Sequence, residues 1–160
     1  MPTTQQLEHA NEQYAATFAK GALPMPPGRR FAVVTCMDAR LDPAKFLGLD
    51  EGDAHVIRNA GGLVNDETIR SLVISHHLLG TQEAVVIGHT DCGMLTFTND
   101  DLHGKLGPAS QHIDFQPFPD VAARVRQSLE AIRASSLLPD DYAAAGYVYD
   151  VKTGRLERVD

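Results

Sequence analysis

The chain has 160 residues, 43% of them apolar and 22% charged, and carries a net charge of −7, which fits a single globular domain large enough to bury a core without disulfides. The negative balance and the lack of any basic or arginine-rich run exclude nucleic acid and anionic lipid as partners. No apolar run is long enough to cross a bilayer, and the first residues lack a basic start followed by an apolar stretch, so no signal peptide and a cytoplasmic location are expected.

Residues 5–20 are polar, with Leu7, Tyr14 and Phe18 at helical spacing, which predicts a weakly amphipathic helix. The segment 21–28 holds three prolines and reads as a linker. Residues 1–28 are therefore expected to form an arm that stands off from one domain, 29–160, and needs another surface such as a second subunit. Phe31 to Cys36 is a short apolar run suited to a strand buried on both faces. Residues 54–58 make a second, weaker strand, broken by Gly61 and Gly62. Asn65 is placed to cap a helix whose inner face carries Ile69, Leu72, Val73, His76 and Leu79, with Gly80 at its end. Glu83 to His89 is the clearest buried strand in the sequence. Asp91 and Gly93 open another short helix, and residues 99–118, without a period, read as a long loop. Pro119 and Asp120 start a helix with Val121, Val125, Leu129 and Ile132 on one face. Residues 146–159 form a hairpin turning at Lys152, Thr153 and Gly154. Strands alternating with helices predict an α/β fold, a mostly parallel central sheet flanked by helices.

Two motifs fall at strand ends: Cys36-Met37-Asp38-Ala39-Arg40 and His89-Thr90-Asp91-Cys92. In open α/β sheets ligands gather outside the carboxyl ends of strands, where the strand order reverses. If the two strands are neighbours, Cys36, His89 and Cys92 converge there. Thiolate and imidazole donors suit zinc, and three protein ligands leave one tetrahedral position open, as a catalytic site requires. The set uses both cysteines in the chain.

The stretches VVTCMDARLD, AHVIRNAGG and VVIGHTDCGM resemble the signature segments of the β-class carbonic anhydrases, in that family's order and separation. The likeness runs from the first strand to the final hairpin and is nearest to the short bacterial and archaeal members. It implies one zinc ion per chain held by Cys36, His89 and Cys92, with Asp38 and Arg40 as the catalytic dyad. Zinc lowers the pKa of its water from about 15.7 to about 7. Asp38, held by Arg40, then accepts a hydrogen bond from the hydroxide and orients it toward carbon dioxide. If the ion pair breaks, Asp38 is close enough in sequence to Cys36 to become a fourth ligand in a closed state. Gly62, Leu63, Val64 and Gly93 are expected to line a small apolar substrate pocket. The resemblance further implies a homodimer or higher homo-oligomer, with part of the pocket wall from a partner chain. A single glycine follows His89-x-x-Cys92 where many members have two. The chain has no tryptophan, so the inhibitory bicarbonate site of one subgroup is not expected.

Plainer readings stand beside these. The cysteines could be buried apolar residues or a redox pair, and Asp38–Arg40 alone would read as a surface ion pair. Asp91 reads as a helix N-terminal residue, His76 as a core histidine, and His9, His77, His103 and His112 as solvated. His55 reads as a strand histidine with an ordinary hydrogen bond, and Arg124, Arg126 and Arg133 as a wet helix face. The function expected first is reversible hydration of carbon dioxide to bicarbonate and a proton. Hydrolysis of carbonyl sulfide or carbon disulfide at the same zinc is the alternative, and a non-catalytic zinc or redox-sensing protein is the third reading.

Overall fold

A computed structural model describes every residue from Met1 to Asp160. Strand β1 (Phe31–Cys36) is buried along all but its first residue, because it lies inside the sheet with chain on both faces. It pairs in parallel with β2 (Ala54–Asn59) on one side and with β3 (Glu83–His89) on the other. Strand β4 (Ala143–Tyr149) continues the parallel set beside β3, and β5 (Leu156–Arg158) closes the edge antiparallel to β4. The order is β2-β1-β3-β4-β5. The chain moves from β1 to β2 through α2 (Pro43–Leu47), then back across β1 to β3 through α3 (Asp66–His77). The strand order thus reverses between β1 and β3, where such sheets open a crevice at their carboxyl ends.

Two apolar clusters divide the interior. One packs Ala32, Val34, Ala84 and Val86 of the sheet against Leu72 of α3 and Val125, Leu129 and Ile132 of α5 (Val121–Arg133). Asp120 caps α5 by accepting from the Ala123 N–H at 2.7 Å. The helix seats closely because β3 and β4 present glycines to it. A Cβ on Gly88 would lie 2.7 Å from Val121 Cγ1, and one on Gly146 would lie 2.7 Å from Val125 Cγ1. The second cluster gathers Cys36, Leu41, Leu63, Cys92, Met94 and Phe118 at the carboxyl rim of the sheet.

Three expectations are corrected. Residues 99–118 are not a structureless loop: they hold α4 (Asn99–Leu106). Its N-terminus is a reciprocal capping box in which Thr98 and Asp101 satisfy each other's main chain. The short element after Cys92 is a single 3₁₀ turn, Gly93–Leu95, with Cys92 and not Asp91 at its N-terminal position and no side-chain cap. The buried face of α3 is rotated from the apolar stripe: Thr68, Leu72 and Ser75 are buried, while Ile69 and Val73 are only partly so. Burial of the two hydroxyls is allowed because each is bonded, Thr68 Oγ1 to the Leu63 carbonyl at 2.7 Å and Ser75 Oγ to Thr81 Oγ1 at 2.8 Å. Helix α1 (Thr3–Ala16) buries none of its residues. Contacts such as the Lys20–Glu51 ion pair tie the segment behind it to the domain.

Candidate metal centre

Cys36 is the last residue of β1 and His89 the last of β3, adjacent parallel strands, so both side chains leave from one rim. Beyond His89 the chain must turn back for Cys92 to reach the same place. Asp91 makes that turn in the left-handed region at φ 53°, which an aspartate tolerates better than most residues. The Thr90 N–H bonds the Tyr149 carbonyl at 2.9 Å and fixes the start of the turn. Cys36, His89 and Cys92 are all at most 5% exposed, and their ligand atoms lie within 4.8 Å of one another.

His89 Nδ1 sits 2.8 Å from the Thr90 carbonyl oxygen. A carbonyl only accepts, so the ring proton is on Nδ1 and the Nε2 lone pair faces the two sulfurs. Nε2 is buried without a hydrogen-bond partner, a condition that costs about 1–3 kcal/mol when nothing else binds the atom. The sulfurs are equally unsettled: a proton shared with Cys92 pulls the Cys36 thiol well down, and the same bond, with burial, pushes Cys92 up. The Gly61 N–H also donates to Cys36 Sγ at 3.4 Å. Two soft donors and an imidazole nitrogen, all desolvated and with one nitrogen orphaned, fit a zinc ion that replaces the shared proton.

Beside this cluster, Arg40 grips Asp38 with two parallel bonds, Nε to Oδ1 at 3.0 Å and Nη2 to Oδ2 at 2.8 Å. The Arg40 main-chain N–H adds a third at 2.9 Å. These bonds hold the Asp38 carboxyl well below the usual carboxylate range despite partial burial. Asp38 Oδ2 lies 3.8 Å from His89 Nε2, so the carboxylate overlooks the candidate metal ligands while engaged by Arg40. Asp91, expected to serve a helix end, instead bonds Arg40 Nη1 through Oδ2 at 2.7 Å and Nη2 through its carbonyl at 2.8 Å. The arginine therefore joins the loops that follow β1 and β3. This partnership was hidden from the sequence because it spans 51 positions.

A cavity of about 450 Å³ opens onto the cluster, lined by Cys36, Met37, Asp38, Ala39, Ala60, Gly61, Cys92, Gly93 and Met94. Of the four expected pocket residues only Gly93 is on its wall. Gly62 turns the chain at φ 64° so close to β1 that a Cβ would lie 2.9 Å from the Cys36 nitrogen. Leu63 and Val64 then point into the two apolar clusters. Their places on the wall are taken by Ala60 and Gly61, one turn earlier. Asn59 latches this turn, accepting from the Leu63 N–H at 2.7 Å and donating to the Leu63 carbonyl at 2.9 Å. Elsewhere, His55 bonds Ser75 Oγ at 2.7 Å and His76 bonds the Thr81 carbonyl at 2.6 Å, as ordinary structural histidines. Arg124 is half-buried, bonded to Gln116 and Gln127, and not on a wet face.

A parallel α/β sheet with a buried Cys₂His cluster at its switch point and an Asp–Arg pair beside it defines a zinc-site enzyme fold. The comparisons narrow this further. The sequence profile of the family described as "Carbonic anhydrase" matches residues 31–135. The chain is 48% identical over 155 residues to "Beta-carbonic anhydrase 1" of Mycobacterium tuberculosis, covering 93% of each. It superposes on the structure of a carbonic anhydrase from Glaciozyma antarctica with a TM-score of 0.92 at 46% identity, covering 100% of both chains. It is also 34% identical to a "Carbon disulfide hydrolase" of an Acidianus strain, covering 92% of this chain and 84% of that protein. The chain belongs to the β-carbonic anhydrase family.

Proposed function

We propose that the protein catalyses the reversible hydration of carbon dioxide to bicarbonate and a proton. The observation that carries this reading is the convergence of Cys36, His89 and Cys92 with the ionised Asp38–Arg40 pair beside them. Zinc held by the three ligands supplies a Lewis acid and a means of activating water near neutral pH. Asp38, kept ionised by Arg40, can only accept hydrogen bonds. It therefore receives the O–H of the attacking water and aims the remaining lone pair into the cavity. Arg40 is a positioning residue: its two bonds to Asp38 and two to Asp91 fix where that acceptor sits. Met37, Ala39, Ala60 and Met94 give the cavity apolar walls, suited to an uncharged substrate.

The carbon disulfide hydrolase relative supports a second reading, hydrolysis of carbon disulfide or carbonyl sulfide by the same residues. Both substrates are linear, with an electrophilic central carbon like that of carbon dioxide. Stopped-flow hydration of carbon dioxide on metal-quantified protein, run beside sulfide release from carbonyl sulfide and carbon disulfide, separates the two. Fast hydration in proportion to zinc content is expected. Negligible hydration with rapid sulfide release would move the function to the second reading.

The protein is further proposed to act as a homodimer or larger homo-oligomer in the cytoplasm. Helix α1 leaves Leu7 64% exposed and Tyr14 51% exposed and buries nothing, which supports a second copy as its surface. Two thiols that must stay reduced to bind metal fit a reducing compartment.

A further inference from the structure

Strand β2 supplies no metal ligand, yet its end reaches the site through one side chain. Arg58 donates from Nε to the Cys36 carbonyl at 2.9 Å and from Nη2 to the Asp38 carbonyl at 2.7 Å. Between those two carbonyls, the Met37 N–H bonds the Asn59 carbonyl at 2.9 Å. That is the last rung joining the segment to β2, since the β1–β2 ladder ends at Cys36 opposite Asn59. Past this rung the chain leaves the sheet, and apart from a local turn in which the Leu41 N–H bonds the Asp38 carbonyl at 3.0 Å no main-chain bond ties it back to β2. Arg58 pins it on both sides of Met37.

We propose that Arg58 is a positioning residue for the reaction: its guanidinium fork fixes the main chain of Asp38 relative to that of Cys36. It thereby sets the distance between the hydrogen-bond-accepting carboxylate and the candidate metal ligands. The inference rests on the function proposed above and deepens it. Three features of the contact support the role. The partners are main-chain carbonyls, so Arg58 acts on the backbone and not on a side-chain charge. The two carbonyls belong to a metal ligand and to the catalytic carboxylate, the two groups whose separation matters. And the planar fork spans acceptors two residues apart, which the single ammonium of a lysine does not reproduce. Arg40 holds the Asp38 side chain from one side while Arg58 holds its peptide from the other. Neither arginine alone defines the position.

The test compares Arg58→Gln and Arg58→Lys with the parent and with Arg70→Gln, which removes a helix-surface arginine paired to Glu67. Each protein is checked for folding by circular dichroism. Zinc affinity is then measured by competition with a chromophoric chelator, and the visible spectrum of the cobalt-substituted protein is recorded. Turnover is followed against substrate and pH. Both Arg58 variants are expected to bind zinc about tenfold to a hundredfold more weakly, to shift the cobalt bands, and to lose kcat with little change in KM. Lysine is expected not to rescue. The proposal is overturned if folded variants keep the parent's cobalt spectrum, zinc affinity and pH profile, whatever happens to thermal stability. It is overturned equally if Arg58→Lys restores all three, since charge alone would then suffice. Should Arg58→Gln fail to fold, Arg58→Lys carries the comparison. If the parent itself hydrates no carbon dioxide, the proposed function fails while the zinc and cobalt readouts still decide the role of Arg58.

Discussion

The carboxyl rim of the sheet and the N-terminal arm are built on opposite terms. At the rim the polar atoms outside the candidate metal cluster are densely bonded: the Arg40 side chain serves Asp38 twice and Asp91 twice, and Asn59 uses both ends of its amide. In the arm, a helix of 14 residues buries none of them. The rim is specified within one chain, so its chemistry should fail sharply when a single atom is changed. Helix α1 is tied to its own chain by a few polar contacts only, so under the proposed oligomeric reading its role should emerge when copies meet.

The largest effect is expected where the rim is most tightly coupled. Cys92→Ser replaces a soft donor by a poor one, and zinc content by elemental analysis should fall to near zero, with hydration down about 10³-fold or more. Zinc retained at parent levels would remove Cys92 from the ligand set. Next, Asp38→Asn keeps the size of the side chain but not its acceptor-only character. Zinc should stay, while turnover falls by about 10²-fold; full activity would place the group that orients the attacking water elsewhere. Removing residues 1–20 should subtract the helical signal of α1 from the far-ultraviolet spectrum, leave the melting temperature of the remaining domain nearly unchanged, and reduce the number of copies seen by sedimentation equilibrium. An unchanged number of copies would mean that the arm is not the contact. The smallest effect belongs to Leu7→Ser, expected to alter the stability of the separated chain in urea by no more than about 0.5 kcal/mol, because within one chain its side chain is already in water. The same size of change at buried Leu72 (Leu72→Ala) should cost about 2–5 kcal/mol, which calibrates the contrast.

The contrast also explains what the sequence disclosed. Strands β1 and β3 were legible because burial on both faces demands unbroken apolar runs, and a five-stranded sheet with those two in contact then brought the three candidate zinc ligands together. Helix α1 was legible for the reverse reason, as a polar run with a few apolar residues, Leu7 and Tyr14 among them, at helical spacing. Helix α4 was missed because it has no buried residue to impose a period. Its only local signal is Thr98-x-x-Asp101, a capping box with aspartate where glutamate is usual. The turn of α3 was misjudged because Thr68 and Ser75 look like surface residues until their bonding partners, Leu63 and Thr81, are known. The pocket wall was placed two residues too late, since the reversal at Gly62 depends on a close approach to β1 that only the fold reveals. Arg58 and Asp91 act across 22 and 51 positions, and no spacing rule reaches that far.

Gly88 and Gly146 meet α5 with the same 2.7 Å clearance, yet they are not equivalent. Gly146 is followed by Tyr147, well inside β4, whereas Gly88 is bonded directly to His89. A side chain forced in at Gly146 would lift the helix from the sheet, and the damage would register as lost stability. The same intrusion at Gly88 would also displace the imidazole beside it. Thermal melts and turnover therefore report separate quantities at one of these glycines and a single inseparable quantity at the other. A screen that tolerates modest unfolding would pass substitutions at Gly146 and reject their counterparts at Gly88.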